Sequence, residues 1–170
     1  MPIVYLVRHG PAEPEDPARW PTDSDRPLSR DGIRRTRSAA RAFARVVGRP
    51  DAIASSPARR ALTTARLWRE ATGLSAAVAE WPELGLDGSA GRAFRRLQSE
   101  GREHESMVLV GHAPGLIDLM GIALTGEAVP LAHLGRAGAA AIEFPSAIAP
   151  GSGRLQWLVT RKMWRWDRPD

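Results

Sequence analysis

Val4-Tyr5-Leu6-Val7-Arg8-His9-Gly10 is the stretch that decides the fold. Four apolar residues run directly into a basic pair and a glycine. A short, apolar, β-rich run bounded in this way predicts a buried strand over Pro2 to Val7. Two further apolar runs behave alike. Asp51 to Ala54 leads into Ser55-Ser56-Pro57-Ala58-Arg59-Arg60, and Met107 to Val110 leads into Gly111-His112. Each predicted strand therefore ends at polar residues able to do chemistry.

Helical patterns lie between the strands. Ser29 reads as an N-cap for a helix over Arg30 to Val47, with Ile33, Ala40, Phe43, Ala44 and Val47 on its apolar side. Ser56 and Pro57 read as an N-cap and a proline at the first helical position. The helix they open runs to about Thr72 and stops near Gly73. Leu74 to Val78 is a candidate third strand, and Trp81 to Ser89 a loop. Ala90 to Glu100 is a helix closed near Gly101. Pro114 to Leu124 is apolar all round and is expected to be a buried helix. Ala139 to Phe144 and Arg154 to Thr160 alternate as strands around a loop of Pro, Gly and Ser. Strands alternating with helices imply parallel crossovers, hence an α/β three-layer sandwich with a mostly parallel sheet. The last two strands have no helix between them and are expected to pair antiparallel at one edge.

Composition narrows the function. The 170 residues suit one domain spanning 1–170, and a hydrophobic fraction of 43% is enough for a core. With no cysteine, disulfides, thiolate metal sites and a cysteine nucleophile are excluded. No secretory signal and no apolar run long enough to span a bilayer is seen, so a soluble, cytoplasmic protein without a membrane partner is expected. The net charge is +5 and the pI about 11.0, yet the 24 basic residues, all Arg except Lys162, are scattered. Nucleic-acid binding needs clustering and is not expected. The four histidines show no metal-ligand spacing, so no metal and no cofactor are expected.

In an open α/β sheet, ligands bind beyond the carboxyl ends of the strands. That rule gathers His9, the Ser55–Arg60 cluster and His112 at one edge, where a helix N-terminus also offers free N–H groups. Imidazoles, guanidinium groups and a helix start form a pocket suited to phosphate. Each signal alone is weak, and a strand-end histidine can simply satisfy backbone groups. Three signals on one edge are much stronger together.

At this point the chain resembles the histidine phosphatase superfamily, also called phosphoglycerate-mutase-like. The resemblance rests on the strand with Arg8-His9-Gly10, on Ser55-Ser56-Pro57-Ala58-Arg59-Arg60-Ala61-Leu62-Thr63-Thr64-Ala65, and on Val108-Leu109-Val110-Gly111-His112. Arg26-Pro27-Leu28-Ser29-Arg30-Asp31-Gly32, Pro82-Glu83-Leu84 and Trp157-Leu158-Val159-Thr160-Arg161-Lys162 are similar to elements of the short SixA-type phosphohistidine phosphatases.

The resemblance implies that His9 is a nucleophile forming a phosphohistidine intermediate, that Arg8 and Arg60 clamp the phosphoryl oxygens, and that His112 donates to them. Motif spacing favours Arg60 over Arg59. It also implies Glu83 as a candidate general acid, with Asp87 second, although short members of the family often lack a clear acid. Expected substrates are a phosphorylated partner protein, with phosphohistidine first, or a small phosphorylated molecule such as a sugar phosphate or nucleotide. A phosphate-binding module without turnover is the third reading. The acidic loop from Pro11 to Arg26 is either a lid or docking edge, or a solvated connector. Trp157, Trp164 and Trp166 are an interface patch or the anchor of the terminal segment.

Overall fold

A computed structural model describes residues 1–165, so Trp166 lies outside the described residues. Six strands form one sheet: β1 (Ile3–Arg8), β2 (Ala52–Ser55), β3 (Ala79–Glu80), β4 (Ser106–Gly111), β5 (Ala139–Glu143) and β6 (Arg154–Val159). Their spatial order is β3-β2-β4-β1-β5-β6. The four strands from β3 to β1 are parallel, whereas β5 is antiparallel to β1 and β6 to β5. The antiparallel edge is thus wider than expected, because β5 itself reverses against β1.

Four helices cover the sheet: α1 (Arg30–Val47), α2 (Arg59–Thr72), α3 (Ala90–Glu100) and α4 (Gly115–Thr125). Strand alternation sends side chains to two separate cores. Val4, Leu6, Met107, Leu109 and Ile142 face Phe94 and Leu97 of α3 and Leu116, Leu119 and Met120 of α4. Tyr5, Val7, Ile53, Val108 and Val110 face Ala40 and Phe43 of α1 and Ala61, Ala65 and Trp68 of α2. The result is the expected α/β/α sandwich. None of the helices among the described residues is long and apolar enough to cross a membrane.

Several local expectations need correction. Leu74–Val78 is not a strand; β3 is the residue pair Ala79–Glu80 that follows it, at the sheet edge. Ser56 and Pro57 do not cap and start α2, because the chain bends at Pro57 and Ala58, and Ala58, with extended dihedrals, takes the N-cap position before Arg59. The 81–89 segment is not all loop. Pro82–Leu84 makes a 3-10 turn, with Trp81 and Leu84 buried. Helix α4 is buried on one face only, since Ile117, Ile122 and Leu124 are half-buried. Ser29 does cap α1, its Oγ accepting from the Gly32 N–H at 2.9 Å.

The terminal tryptophans inside the described residues act as an anchor. Trp164 is buried, with ring centroids 6.4 Å from Phe43 and 6.0 Å from Trp157. Trp68 lies under the same cluster, 6.0 Å from Phe43 and fully buried. Trp68→Ala is expected to lower unfolding free energy by about 3–5 kcal/mol, the usual cost of emptying a large aromatic site. Urea denaturation of the two proteins measures it.

Candidate active site

Register brings the site together. Arg8 pairs with Gly111 across β1 and β4, and Ser55 pairs with Val110 across β2 and β4. The residues immediately beyond these ends are His9, Ser56 and His112. Two backbone bonds extend the ladder into the site: the His9 N–H donates to the Gly111 carbonyl at 3.1 Å, and the Ser56 N–H to the Val110 carbonyl at 2.9 Å. The His9 and His112 rings end up 4.9 Å apart, centroid to centroid.

His9 is 8% exposed, and its Nδ1 lies 2.7 Å from the Gly10 carbonyl oxygen. A carbonyl only accepts, so Nδ1 carries the proton and Nε2 of the neutral ring holds the free lone pair. Burial, then the His112, Arg60 and Arg8 charges, push the His9 pKa down to about 3 against the opposing pull of the Gly10 carbonyl. The ring is neutral throughout the physiological range. Gly10 itself is required by close approach, because a Cβ there would sit 1.9 Å from Thr36 Oγ1.

His112 is 7% exposed, and its Nε2 lies 2.8 Å from Ser56 Oγ. Its Nδ1 is buried without a partner among the described residues. Burial, reinforced by Arg60, lowers its pKa to about 4, although Asp23 opposes this. Arg8 Nη1 donates to the Leu134 carbonyl at 2.9 Å, and burial together with nearby Arg136 lowers the Arg8 pKa. Arg60 is buried in the first turn of α2, whereas adjacent Arg59 is exposed. The Nε atoms of Arg8 and Arg60 are both buried without a partner. Two guanidinium groups and one imidazole thus keep unsatisfied nitrogens around a neutral His9. Buried polar groups are rarely left so, and an oxyanion with several acceptor oxygens is the chemistry that satisfies them.

The candidate acid sits differently. Glu83 pairs with Arg96 of α3 at 3.1 Å. Its carboxyl is held below the usual range, first by its own backbone N–H and, against the effect of burial, by Arg96. A carboxylate kept ionised is a poor proton donor near neutral pH. Glu83 and Asp87 both line a cleft of about 910 Å³ together with Thr22, Asp23, Ser24 and Arg92.

Three contributors have no assigned part in the sequence reading. Ser56, read there as a cap, holds His112. Thr64 Oγ1 accepts from the Gly10 N–H at 3.1 Å and donates to the Arg60 carbonyl at 2.8 Å, tying α2 to the strand end. Asp23, in the 11–26 loop, ion-pairs with Arg60 at 2.6 Å. Thr64 was within reach of sequence reasoning, since it falls in the quoted 55–65 element. Asp23 carries no local signal.

The model for the histidine phosphatase superfamily (branch 1) matches residues 4–85, a span that includes Arg8, His9, Arg60 and Glu83 but not His112. Among curated proteins none matches the chain. Solved structures do. The protein histidine phosphatase SixA, complexed with tungstate, superposes with a TM-score of 0.81 at 23% identity, covering 95% of this chain and 98% of that one. A protein assigned as phosphohistidine phosphatase SixA from Agrobacterium tumefaciens gives 0.74 at 26% identity, covering 94% and 99%. A mycobacterial glucosyl-3-phosphoglycerate phosphatase with inorganic phosphate gives 0.67 at 21% identity, covering 95% and 99%. Its fold is phosphoglycerate-mutase-like, residues 4–85 are similar to the histidine phosphatase superfamily, and these likenesses support a phosphatase. Within that class it is SixA-like.

The two buried imidazoles set a pH dependence of stability. Their folded pKa values, about 3 and about 4, lie below the ordinary 6.5. The unfolded chain therefore binds more protons, and stability is full above pH 6.5 and falls as pH drops toward 4. Each histidine contributes a slope of up to about 1.4 kcal/mol per pH unit across that window. Melting temperature measured from pH 7.5 to 4.5 is expected to fall, and His9→Gln is expected to flatten the curve.

Proposed function

We propose that this chain hydrolyses phosphohistidine on a partner protein through a covalent phosphohistidine intermediate on His9. The observation that carries the reading is the locked His9 tautomer: Nδ1–H is tied to the Gly10 carbonyl, and Nε2 is left neutral and nucleophilic. In the first step the Nε2 lone pair forms a bond to phosphorus as the bond from phosphorus to the substrate imidazole nitrogen breaks. The substrate imidazole, protonated on its other ring nitrogen before transfer, takes the bonding pair and leaves as the neutral ring, so a strong general acid is not required. In the second step water attacks phospho-His9. The P–N bond breaks, the lone pair returns to His9, and orthophosphate leaves with the excess proton passing to solvent.

Arg8 and Arg60 hold the phosphoryl oxygens through nitrogens that have no other partner. Ser56 Oγ lies 2.8 Å from His112 Nε2, and in the tautomer in which the hydroxyl donates, His112 Nδ1–H is a further donor to the oxygens. These two guanidinium charges neutralise the transferring group, so the reaction runs without a metal. The cleft beside Arg60 is bordered by the 22–24 turn and by residues 82–87, several of them exposed, which suits a side chain presented by another protein.

One observation favours a second reading, a small-molecule phosphatase. The cleft volume of about 910 Å³ falls in the upper part of the range of small-ligand sites, roughly 300–1,000 Å³.

Phosphate release from a phosphohistidine protein, p-nitrophenyl phosphate and metabolite phosphates, without added metal, separates the readings. The phosphohistidine protein is expected to give the highest kcat/KM, with His9→Ala reducing it by about 10³-fold or more. A metabolite as the best substrate would move the small-molecule reading forward. Phosphate binding without release from any of them would leave a binding module. Glu83→Gln is expected to change phosphohistidine turnover by less than about tenfold, whereas loss of a working general acid costs roughly 10²–10⁴-fold.

A further inference from the structure

The phosphate clamp is held from behind by a residue with no assigned part. Arg60 is 2% exposed, and two of its three nitrogens are taken by Asp23. Nη1 donates to the Asp23 main-chain oxygen at 2.6 Å and Nη2 to Asp23 Oδ2 at 2.6 Å. Asp23 is gripped in turn by Arg26, whose Nε donates to Oδ1 at 2.7 Å. Arg26 is itself fixed at the other end, where Nη1 donates to the Glu13 main-chain oxygen at 3.0 Å.

We infer that Asp23 is a positioning residue for the phosphate site: held by Arg26, it grips Arg60 by its terminal nitrogens and turns the Nε side of the guanidinium toward the phosphoryl group. The inference rests on the reading of Arg60 as a phosphate clamp.

Donor arithmetic supports shared use of Arg60. A guanidinium has five N–H donors, and Asp23 uses two of them, one on each terminal nitrogen. The Nε–H remains, buried and without a partner, with one further hydrogen on each terminal nitrogen. The edge from Nε to a terminal nitrogen is one of the forks that match two oxygens of a phosphate. Asp23 and phosphate can therefore occupy different edges of one guanidinium.

The same arrangement explains the Arg26–Gly32 element. Leu28 is buried and makes an antiparallel bridge with Ala12. The Ser29 N–H donates to the Pro11 carbonyl at 3.1 Å while its Oγ caps α1. A Cβ at Gly32 would meet that Pro11 carbonyl oxygen at 1.9 Å, so glycine lets helix and loop touch. These contacts close the base of the 11–27 loop and deliver Arg26 to Asp23. The loop is thereby one wall of the phosphate site, neither a free lid nor a plain connector.

The test uses the whole chain with inorganic phosphate as probe. Calorimetric Kd for phosphate, KM and kcat on the phosphohistidine protein, and melting temperature would be measured for wild type, Asp23→Asn, Asp23→Ala, Arg26→Ala and Asp23→Ala/Arg26→Ala. Asp23→Ala is expected to weaken phosphate binding by about tenfold or more and to raise KM in parallel, the scale of one charged hydrogen-bond pair. Asp23→Asn keeps an acceptor oxygen and is expected to lose less. Arg26→Ala is expected to weaken binding alone and add little in the double variant, because both act through one contact. Tighter phosphate binding in Asp23→Ala would overturn the inference, since the carboxylate would then compete with the anion. Unchanged Kd and KM would overturn it, as would a loss equal in the Asn and Ala variants that tracks their melting temperatures. A wild type that neither binds nor releases phosphate would instead remove the functional reading beneath it.

Discussion

The structure turns on a guanidinium buried where water cannot solvate it. Arg60 sits in the first turn of α2, between the end of β2 and the 11–27 loop. A buried charge is tolerated only when it is paired and hydrogen-bonded. Asp23 supplies both the carboxylate and a main-chain oxygen, and a loop holding the Asp23–Asp25 3-10 turn is pinned around that contact. The remaining architecture serves the same end. Parallel register brings the ends of β1, β2 and β4 level. Thr64 then links α2 to Gly10, so the guanidinium and the His9 ring are fixed to one another through a backbone N–H.

Much of this was legible in the sequence, and the limits have physical causes. The β1, β2 and β4 strands announce themselves as apolar runs, and the rule that ligands bind beyond strand ends places His9 and His112 without any coordinates. The third strand was misplaced because Leu74, Ala76, Ala77 and Val78 look like a buried strand, whereas β3 is a two-residue edge pair formed by Ala79 and an acidic residue. Such an edge needs little hydrophobic signal. Ser56-Pro57 has the composition of a helix start, and only the third dimension shows its hydroxyl turned to His112. Asp23 is one of several carboxylates in a proline-rich loop, alongside Glu13, Glu15, Asp16 and Asp25. Nothing local distinguishes it, because its partner lies 37 residues away. Glu83 is a comparable case, since its pairing with Arg96 joins a turn to a helix 13 residues later.

The electrostatics of the site form one coupled system. Its charges near His9 and His112 are mainly positive: Arg8 and Arg60, with Arg136 close enough to affect Arg8. Asp23 is the carboxylate placed against them, and it is held ionised. Partial burial works against its charge, but hydrogen bonds from Arg26 and Arg60 overcome that effect. Burial first, and this excess of positive charge second, keep both imidazoles neutral. A phosphoryl group entering the site brings the opposite charge, and an anion beside a histidine favours its protonated form. His112 is the ring exposed to that reversal, because its Nδ1 has no partner and its Nε2 rests on a hydroxyl that can either donate or accept. His9 is shielded from it, since the Gly10 carbonyl fixes its tautomer. The two histidines thus share a strand edge and a set of charges, yet their hydrogen bonds divide the work. One is confined to a single tautomer by a carbonyl, and the other keeps a buried nitrogen open to a new partner.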